Sequence, residues 1–143
     1  MKLRNTSMYV QARTVAEPEF MNILVKHGFS NVRQGNKFDD FCHNDVFGTI
    51  NGVNCAFDVK DLTAKNVHST NYSLSKHLVD SVKQDPTLYS HHYLAFRLYD
   101  HGKPTGEYMI VRTTDACKKL RDMNTYYLVD SLECKKYNHR IFS

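Results

Sequence analysis

The chain has 143 residues, of which 41% are hydrophobic and 12% aromatic. A chain of this length and composition buries a core of its own, so we expect one domain over residues 1–143, which argues against several domains or a disordered chain. No stretch approaches the roughly eighteen apolar residues of a membrane-spanning helix, and the first residues lack the apolar run of a signal peptide. We therefore expect a soluble, cytoplasmic protein without a membrane partner.

The 19 Lys and Arg residues against 15 Asp and Glu residues give a net charge of +4. This excess is compatible with an anionic partner but does not identify one. Acidic residues are sparse in two stretches, 19–39 and 61–80, which predicts a basic surface around a few carboxylates. The basic residues of those stretches include Lys26, Arg33, Lys37, Lys65 and Lys76.

The cysteines do not form a Cys-x-x-Cys pair, and their spacing matches neither a zinc site nor a dense disulfide framework. We expect reduced thiols, with Cys55 and Cys117 in the interior.

The first predicted element is a helix from Val15 to His27. Thr14 and Glu17 have the spacing of a capping box, and Gly28 supplies a left-handed stop. A short strand from Ser30 to Gln34 follows.

A β-hairpin is the next predicted element, with strands Asp45–Ile50 and Val53–Lys60. Asn51-Gly52 between them is the signature of a two-residue type I′ turn. Residues 61–72 are predicted to be a polar loop. The helical spacing of Leu74, Leu78 and Val82 then predicts a helix from Ser73 to Gln84.

The C-terminal half predicts two strands, a helix and a last strand. The strands Tyr93–Tyr99 and Glu107–Arg112 are joined by a turn from His101 to Gly106. Thr114 caps the predicted helix Asp115–Met123, and the last strand is Tyr126–Val129. This order of elements predicts an α/β fold with helices around a mixed sheet.

The chemistry of the hairpin is concentrated in three residues. Alternation along the second strand puts Asp58 and Lys60 on one face, and pairing around the turn puts Asp45 directly opposite Asp58. Opposed carboxylates destabilise a sheet unless a cation neutralises them. Mg²⁺ is commonly held by one or two carboxylates, water and a substrate phosphate, so this arrangement indicates phosphodiester hydrolysis. The simpler interpretation is a surface ion-pair cluster, with Lys60 bridging both acids.

These residues resemble the motif of the PD-(D/E)xK nuclease superfamily: Asn44-Asp45 followed by Asp58-Val59-Lys60, with asparagine in place of the proline. The stretch from Glu17 to Lys60, with His27-Gly28-Phe29 and Val32-Arg33, looks most like the small archaeal-type Holliday junction resolvases. The resemblance covers about the first two thirds of the chain. It implies a restriction-endonuclease-like mixed sheet flanked by helices, in the order helix, three strands, helix, strand, followed by C-terminal additions.

By this resemblance Asp45 and Asp58 are metal ligands, the Val59 carbonyl is a further ligand and Lys60 positions the attacking water. A glutamate of the first helix completes the site. Glu19 is our choice because Glu17 fits the capping box, although either residue is open. The cofactor is Mg²⁺, with Mn²⁺ as a possible substitute. His43 is interpreted as polar surface, with contact to the metal or phosphate as the alternative.

The expected partner is DNA, in particular a branched or four-way junction, cut by a homodimer. The C-terminal half has more aromatic residues than a small core needs, so we expect the homodimer to form mainly through the later strands. These residues are Tyr89, Tyr93, Phe96, Tyr99, Tyr108, Tyr126 and Tyr127. Two alternatives remain open: a restriction-type, repair or viral nuclease acting on duplex DNA, and a non-catalytic nucleic-acid-binding module. The predicted phosphate contacts are Arg33, Lys65, His68, Lys76 and Lys83.

Overall fold

The computed structural model describes residues 11–41, 43–61 and 70–132. Its helices are a π-helical turn Ala12–Ala16, α1 Glu17–Lys26, α2 Lys37–Phe41, α3 Lys76–Gln84, a 3₁₀ turn Pro86–Tyr89 and α4 Thr113–Ala116. Its strands are β1 Ser30–Gln34, β2 Val46–Ile50, β3 Val53–Lys60, β4 Thr70–Ser75, β5 His92–Asp100, β6 Lys103–Arg112, β7 Arg121–Asp122 and β8 Tyr126–Leu132. No helix of the described ranges is long and apolar enough to cross a bilayer.

A five-stranded mixed sheet forms the centre of the fold, in the order β1-β2-β3-β5-β6. The first three strands form an antiparallel meander, β5 runs parallel to β3, and β6 runs antiparallel to β5. This arrangement confirms the predicted α/β fold with a mixed sheet and flanking helices. A second sheet, in the order β4-β8-β7, was not predicted.

Both faces of the central sheet are covered, and β5 is buried on both. Tyr93 and Ala95 belong to the cluster that contains Phe20 and Leu24 of α1. Their neighbours in sequence, such as Phe96, belong to the opposite cluster, which contains apolar residues of α3 and of the second sheet. We call the first the α1 face and the second the α3 face. A strand that is buried on both sides has a nearly continuous apolar sequence, and this is true of β5.

The β2–β3 hairpin forms as predicted. Asn51 and Gly52 have φ of 50° and 77°, as a type I′ turn requires, and Val46 pairs with Phe57. The pairing continues past the end of β2, because the Asp45 amide donates to the Phe57 carbonyl at 2.9 Å. The register therefore brings Asp45 beside Asp58, as the sequence predicts.

The start of the first helix differs from the prediction. Helical backbone extends back to Gln11, and Thr14 lies inside the π-helical turn, so the predicted cap at Thr14 is wrong. Glu17 is 1% exposed and bonds to Gln34 at 2.8 Å, a role that a capping residue does not have. The end is confirmed, since Gly28 has φ of +90°.

The second predicted helix begins later than expected. Ser75 is its cap, with its hydroxyl accepting from the Leu78 amide at 3.1 Å, and residues Thr70–Ser75 form β4 against β8. The prediction of a loop is therefore wrong for residues 70–72, and residues 62–69 lie outside the described part. The position of Leu74 fits both the helical spacing of α3 and the alternation of a strand. Pairing with β8, which is distant in sequence, makes this segment a strand.

Three further differences concern short elements. The turn after β5 is only His101-Gly102, so β6 begins at Lys103. The predicted helix Asp115–Met123 is wrong, because α4 ends at Ala116 and β7 follows; the last strand is confirmed and extends to Leu132. Helix α2 was not predicted.

Candidate active site

The two acids of the hairpin lie at one end of the central sheet. Asp45 directly precedes β2, and Asp58 is the third residue from the end of β3. Both are buried, with 5% and 4% of their surface exposed. Asp58 pairs with Leu94 and Lys60 pairs with Phe96, so the acid and the base both lie on the α3 face of the sheet. Register and alternation thus concentrate charge at a place where a sheet is normally apolar.

A backbone hydrogen bond fixes the Asp45 carboxylate. Its Oδ2 accepts from the Val59 amide at 2.8 Å, across the hairpin. The Val59 side chain is buried in the core of the α1 face, which anchors this amide. Asp45 is therefore held against β3 whether or not a cation is bound.

Asp58 has a different environment, dominated by two basic side chains. Its Oδ2 lies 3.2 Å from Lys60 Nζ and 3.4 Å from His43 Nδ1. Burial raises the pKa of Asp58, but Lys60 and, next, His43 offset this effect and hold the pKa well below its usual value. The carboxylate is therefore ionised at neutral pH.

The Oδ2 atom of Asp58 lacks a well-aligned hydrogen bond. It is buried and, among the described residues, has ionic contacts only. A buried acceptor without a hydrogen bond is costly and is often found where a ligand or ion binds.

Two buried polar residues that the sequence did not assign to the site are linked to Asp58: His92 lies near its charge, and Thr113 bonds to His92. His92, the first residue of β5, is 3% exposed; its Nε2 lies 2.7 Å from the His43 carbonyl and its Nδ1 lies 2.6 Å from Thr113 Oγ1. Thr113 is fully buried. His43 itself, interpreted as polar surface, has a side chain only 25% exposed and contacts Asp58. No local sequence signal indicates this cluster, because pairing of β5 with β3 brings His92 to it.

The donor set fits a small, hard cation. Asp45 and Asp58 are carboxylates in register, one of them with an oxygen that lacks a hydrogen bond, which is what Mg²⁺ or Mn²⁺ prefers when water and phosphate complete its shell. Within the described ranges, three His, Cys, Asp or Glu side chains do not come together as a metal-binding group. A closed cage of protein ligands is therefore not what this part of the chain provides.

The two glutamates of the first helix have different partners. Glu19 is ion-paired with Arg97 at 3.0 Å and accepts from the Tyr108 hydroxyl at 2.8 Å. Glu17 contacts Arg13 at 3.3 Å and accepts from Gln34 at 2.8 Å. Both belong to the helix that covers the α1 face.

Of the contacts described above, those of Glu17 lead toward the hairpin acids. Arg13 also donates to the Gly35 carbonyl at 2.9 Å, and the Gly35 amide donates to the Asp45 carbonyl at 2.7 Å. Arg13 and Gly35 thus connect Glu17 to the backbone carbonyl of Asp45.

Arg97 organises the other set of contacts. The guanidinium group lies 3.3 Å from Asp61 Oδ2, and Tyr99 donates to the same carboxylate. Burial lowers the pKa of Arg97, but hydrogen bonding and charge from Glu19 reverse this and raise it. Burial, together with Glu19, likewise raises the pKa of Tyr108. This network holds Asp61, the residue that follows Lys60, in place.

The predicted phosphate contacts are scattered. Arg33 is exposed and lies over the Phe47 ring, 4.1 Å from its centroid. Lys76 pairs with Asp122 at 3.3 Å, and Lys76 and Lys83 both lie 5.1 Å from the Tyr127 ring centroid. The other two, Lys65 and His68, lie outside the described residues.

A groove of about 440 Å³ opens next to the site on the α3 face. Its lining includes His92, Asn44 and the rings of Phe47 and Tyr89, and Leu88, 74% exposed, lies at the 3₁₀ turn. Its volume is typical of pockets for small ligands.

The aromatic residues of the C-terminal half are used inside the chain. Tyr93, Phe96, Tyr99 and Tyr108 are each at most 4% exposed and belong to the core. They are not the surplus that the sequence analysis assigned to a dimer interface. The remaining partly exposed candidates are Tyr89, Tyr126 and Tyr127.

Comparison with protein-family profiles and with curated proteins finds no match to this sequence. Among solved structures, the fold is similar to that of Hjc, a Holliday junction resolvase from the archaeal hyperthermophile Archaeoglobus fulgidus. The TM-score is 0.54 and the identity 16%, over 89% of this chain and 95% of that chain. This similarity concerns the fold: the chain shares the mixed-sheet architecture of that resolvase.

Proposed function

We propose that the chain is a metal-dependent DNA endonuclease, and most specifically a Holliday junction resolvase. The observation that carries the proposal is the buried pair Asp45 and Asp58, in register across the hairpin, with Lys60 3.2 Å from Asp58. Two carboxyl groups side by side in a buried part of a sheet favour a functional role, because opposed acids otherwise destabilise the sheet. The similarity to a resolvase fold independently supports the same chemistry.

In this proposal Asp45, Asp58 and the Val59 carbonyl hold Mg²⁺, with Mn²⁺ as a substitute. The cation, when bound, supplies Lewis-acid stabilisation of charge on the phosphate. The Asp58 oxygen proposed for this role has ionic contacts with Lys60 and His43 but no hydrogen bond. The Val59 amide keeps the Asp45 carboxylate in place.

Lys60 acts on the attacking water and on the charge that develops at the phosphate. Its ammonium group is anchored by Asp58, and its side chain is 23% exposed, so its three donors are partly open to a substrate. A positioned cation at the site of developing negative charge stabilises the transition state more than the ground state.

The first-helix acid of the proposed site is Glu17, the residue left open against Glu19. The bonds from Glu17 lead through Arg13 and Gly35 to Asp45. Glu19, our choice from sequence, is engaged by Arg97 and Tyr108, which favours a structural role for it. Exchanging each glutamate for glutamine tests the assignment.

DNA lies across the end of the sheet in this proposal, with Arg33, Lys65, His68, Lys76 and Lys83 as phosphate contacts. Such contacts recognise shape and charge without reading bases. The groove beside His92 has room for a nucleotide next to the cleaved phosphate, with the Phe47 and Tyr89 rings as apolar surfaces. This favours a branched substrate, in which bases near the junction are less constrained.

Paired cutting of a junction acts on two symmetry-related strands, which a twofold dimer accomplishes by symmetry. We therefore include a homodimer in the proposal. Sedimentation at micromolar concentration, with and without a four-way junction, tests it: a monomer in both conditions contradicts paired cutting and favours a nicking enzyme.

The experiment that tests the function uses the full chain on three DNA substrates of equal length: a four-way junction, a linear duplex and a single strand. Each is incubated with Mg²⁺, with Mn²⁺ and with EDTA. We expect metal-dependent cleavage that favours the junction. Preferential cleavage of the duplex identifies a restriction-type, repair or viral nuclease instead, and binding without cleavage in either metal identifies a non-catalytic module.

A further inference from the structure

His92 is buried, polar and outside the set of residues that the proposed chemistry uses. Both of its ring nitrogens have partners, at 2.7 Å and 2.6 Å. A carbonyl oxygen only accepts hydrogen bonds, so Nε2 carries a proton and donates to the His43 carbonyl. Burial lowers the pKa of His92, so the ring is neutral and Nδ1 accepts from the Thr113 hydroxyl. The contacts on both sides thus select one tautomer.

The residue that His92 holds has an unusual backbone. His43 has φ of +64°, in the left-handed region that residues other than glycine rarely adopt. The bond from His92 anchors the carbonyl of this turn from the first residue of β5, across the sheet. This backbone conformation places the His43 ring beside Asp58, with His43 Nδ1 3.4 Å from Asp58 Oδ2.

We propose that His92 is a positioning residue for this site: through the His43 carbonyl it fixes the left-handed turn and so holds the His43 ring against the Asp58 carboxylate. Thr113 supports it by fixing the tautomer. The inference rests on the proposed nuclease function for its effect on activity, whereas the positioning itself is a property of the folded chain.

The alternative is that His92 serves only to fill the interior. A buried neutral imidazole needs a partner for each ring nitrogen, so having two bonds does not by itself distinguish the roles. What points to positioning is the identity of one partner, the carbonyl of the turn that carries His43. Hydrogen bonds that orient the groups around a metal or catalytic site typically change activity or metal affinity by about 10- to 100-fold when removed.

A double-mutant cycle separates these roles. We expect His92→Phe and His43→Ala each to lower kcat for junction cleavage by about 10- to 100-fold, with a smaller change in KM. Because His92 acts through His43, the double variant is expected to lose little more than either single variant. Multiplicative losses, or full activity of His43→Ala, would overturn the proposal.

Two conservative variants guard against misfolding. His92→Gln keeps a donor for the His43 carbonyl, so it is expected to restore most of the activity lost in His92→Phe. Thr113→Val removes only the hydroxyl that fixes the tautomer, and we expect an intermediate loss. Equal losses in His92→Gln and His92→Phe at equal melting temperatures contradict the positioning role.

A readout without activity distinguishes failure of this inference from failure of the proposed function. In NMR spectra of ¹³C-histidine-labelled protein, the His43 ring signals are expected to shift in His92→Phe and to stay near their wild-type positions in His92→Gln. Unchanged His43 signals in His92→Phe refute the inference even if the wild type cleaves DNA. A wild type that cleaves no DNA refutes the nuclease proposal, while the NMR result still decides the role of His92.

Discussion

Replacement of Arg97 by methionine is expected to destabilise the fold strongly. Arg97 is 7% exposed, and its guanidinium group contacts Glu19 at 3.0 Å, Asp61 at 3.3 Å and the Tyr99 hydroxyl at 3.2 Å. Methionine fills a similar volume but supplies no charge or donor. The substitution therefore isolates the electrostatic contribution of the network.

The magnitude follows from the burial of the two acids. The Asp61 side chain is 1% exposed, and without Arg97 its remaining hydrogen bonds from the described residues are those from Tyr99 and from Gln11, the latter at 2.8 Å. Breaking a buried ion pair in this way costs about 3–5 kcal/mol. The Glu19 side chain is 34% exposed, so loss of that pair adds less than about 1 kcal/mol. The free energy of unfolding of a native domain is about 5–15 kcal/mol, so Arg97→Met removes a large part of the stability.

Urea unfolding of both proteins measures this difference. The matched control is Arg33→Met, because Arg33 is exposed and lies over one ring, a contact worth about 0.5–1 kcal/mol. Adding Asp61→Asn to Arg97→Met is expected to recover part of the lost stability, because a neutral amide then replaces the buried carboxylate. If Arg97→Met lowers the free energy of unfolding by less than about 1 kcal/mol, or if the double variant recovers none of the loss, then Arg97 does not compensate the buried Asp61 charge.

Three further predictions concern the site. Lys60→Ala is expected to lower the cleavage rate by about 10²- to 10³-fold in a single-turnover assay while Mn²⁺ binding persists, and Lys60→Arg should not rescue it; an active arginine variant would point to simple charge balance. Glu17→Gln is expected to impair cleavage more than Glu19→Gln does, and the reverse order would return the first-helix role to Glu19. Burial lowers the pKa of His92 in the folded chain, whereas in the unfolded chain the pKa is about 6.5. As the pH falls through that value the unfolded chain binds more protons than the folded chain. The contribution of His92 to stability is therefore fully present above that pH and declines below it. His92→Gln should flatten this decline in urea unfolding between about pH 7.5 and 5.5, and an unchanged slope would contradict the assignment.

Local turn chemistry made the hairpin predictable. Asn51-Gly52 specifies a turn whose geometry fixes the register, and the register alone puts Asp45 beside Asp58. Helix α2 had a local signal that the sequence analysis overlooked. Asn36 and Asp39 each accept a hydrogen bond from the other's amide, at 2.9 Å and 3.1 Å, which is a reciprocal capping arrangement.

Elements that depend on distant pairing were not predictable in the same way. Thr70–Ser75 becomes a strand only because β8 pairs with it, more than fifty residues later along the chain. The same limit applies to the site. His92 reaches the His43 carbonyl because β5 pairs with β3, a contact that neither residue's neighbours in sequence encode.

The most direct test of the central claim is cleavage of a four-way junction in Mg²⁺ by the wild type, by Asp58→Asn and by a control, Asp100→Asn. Asp100 is an exposed acid at the far end of β5, so its variant controls for loss of one negative charge. We predict metal-dependent cleavage by the wild type and by Asp100→Asn, and no detectable cleavage by a folded Asp58→Asn, because the asparagine removes a metal ligand and the anchor of Lys60. Cleavage by Asp58→Asn at a rate near that of the wild type would contradict the account.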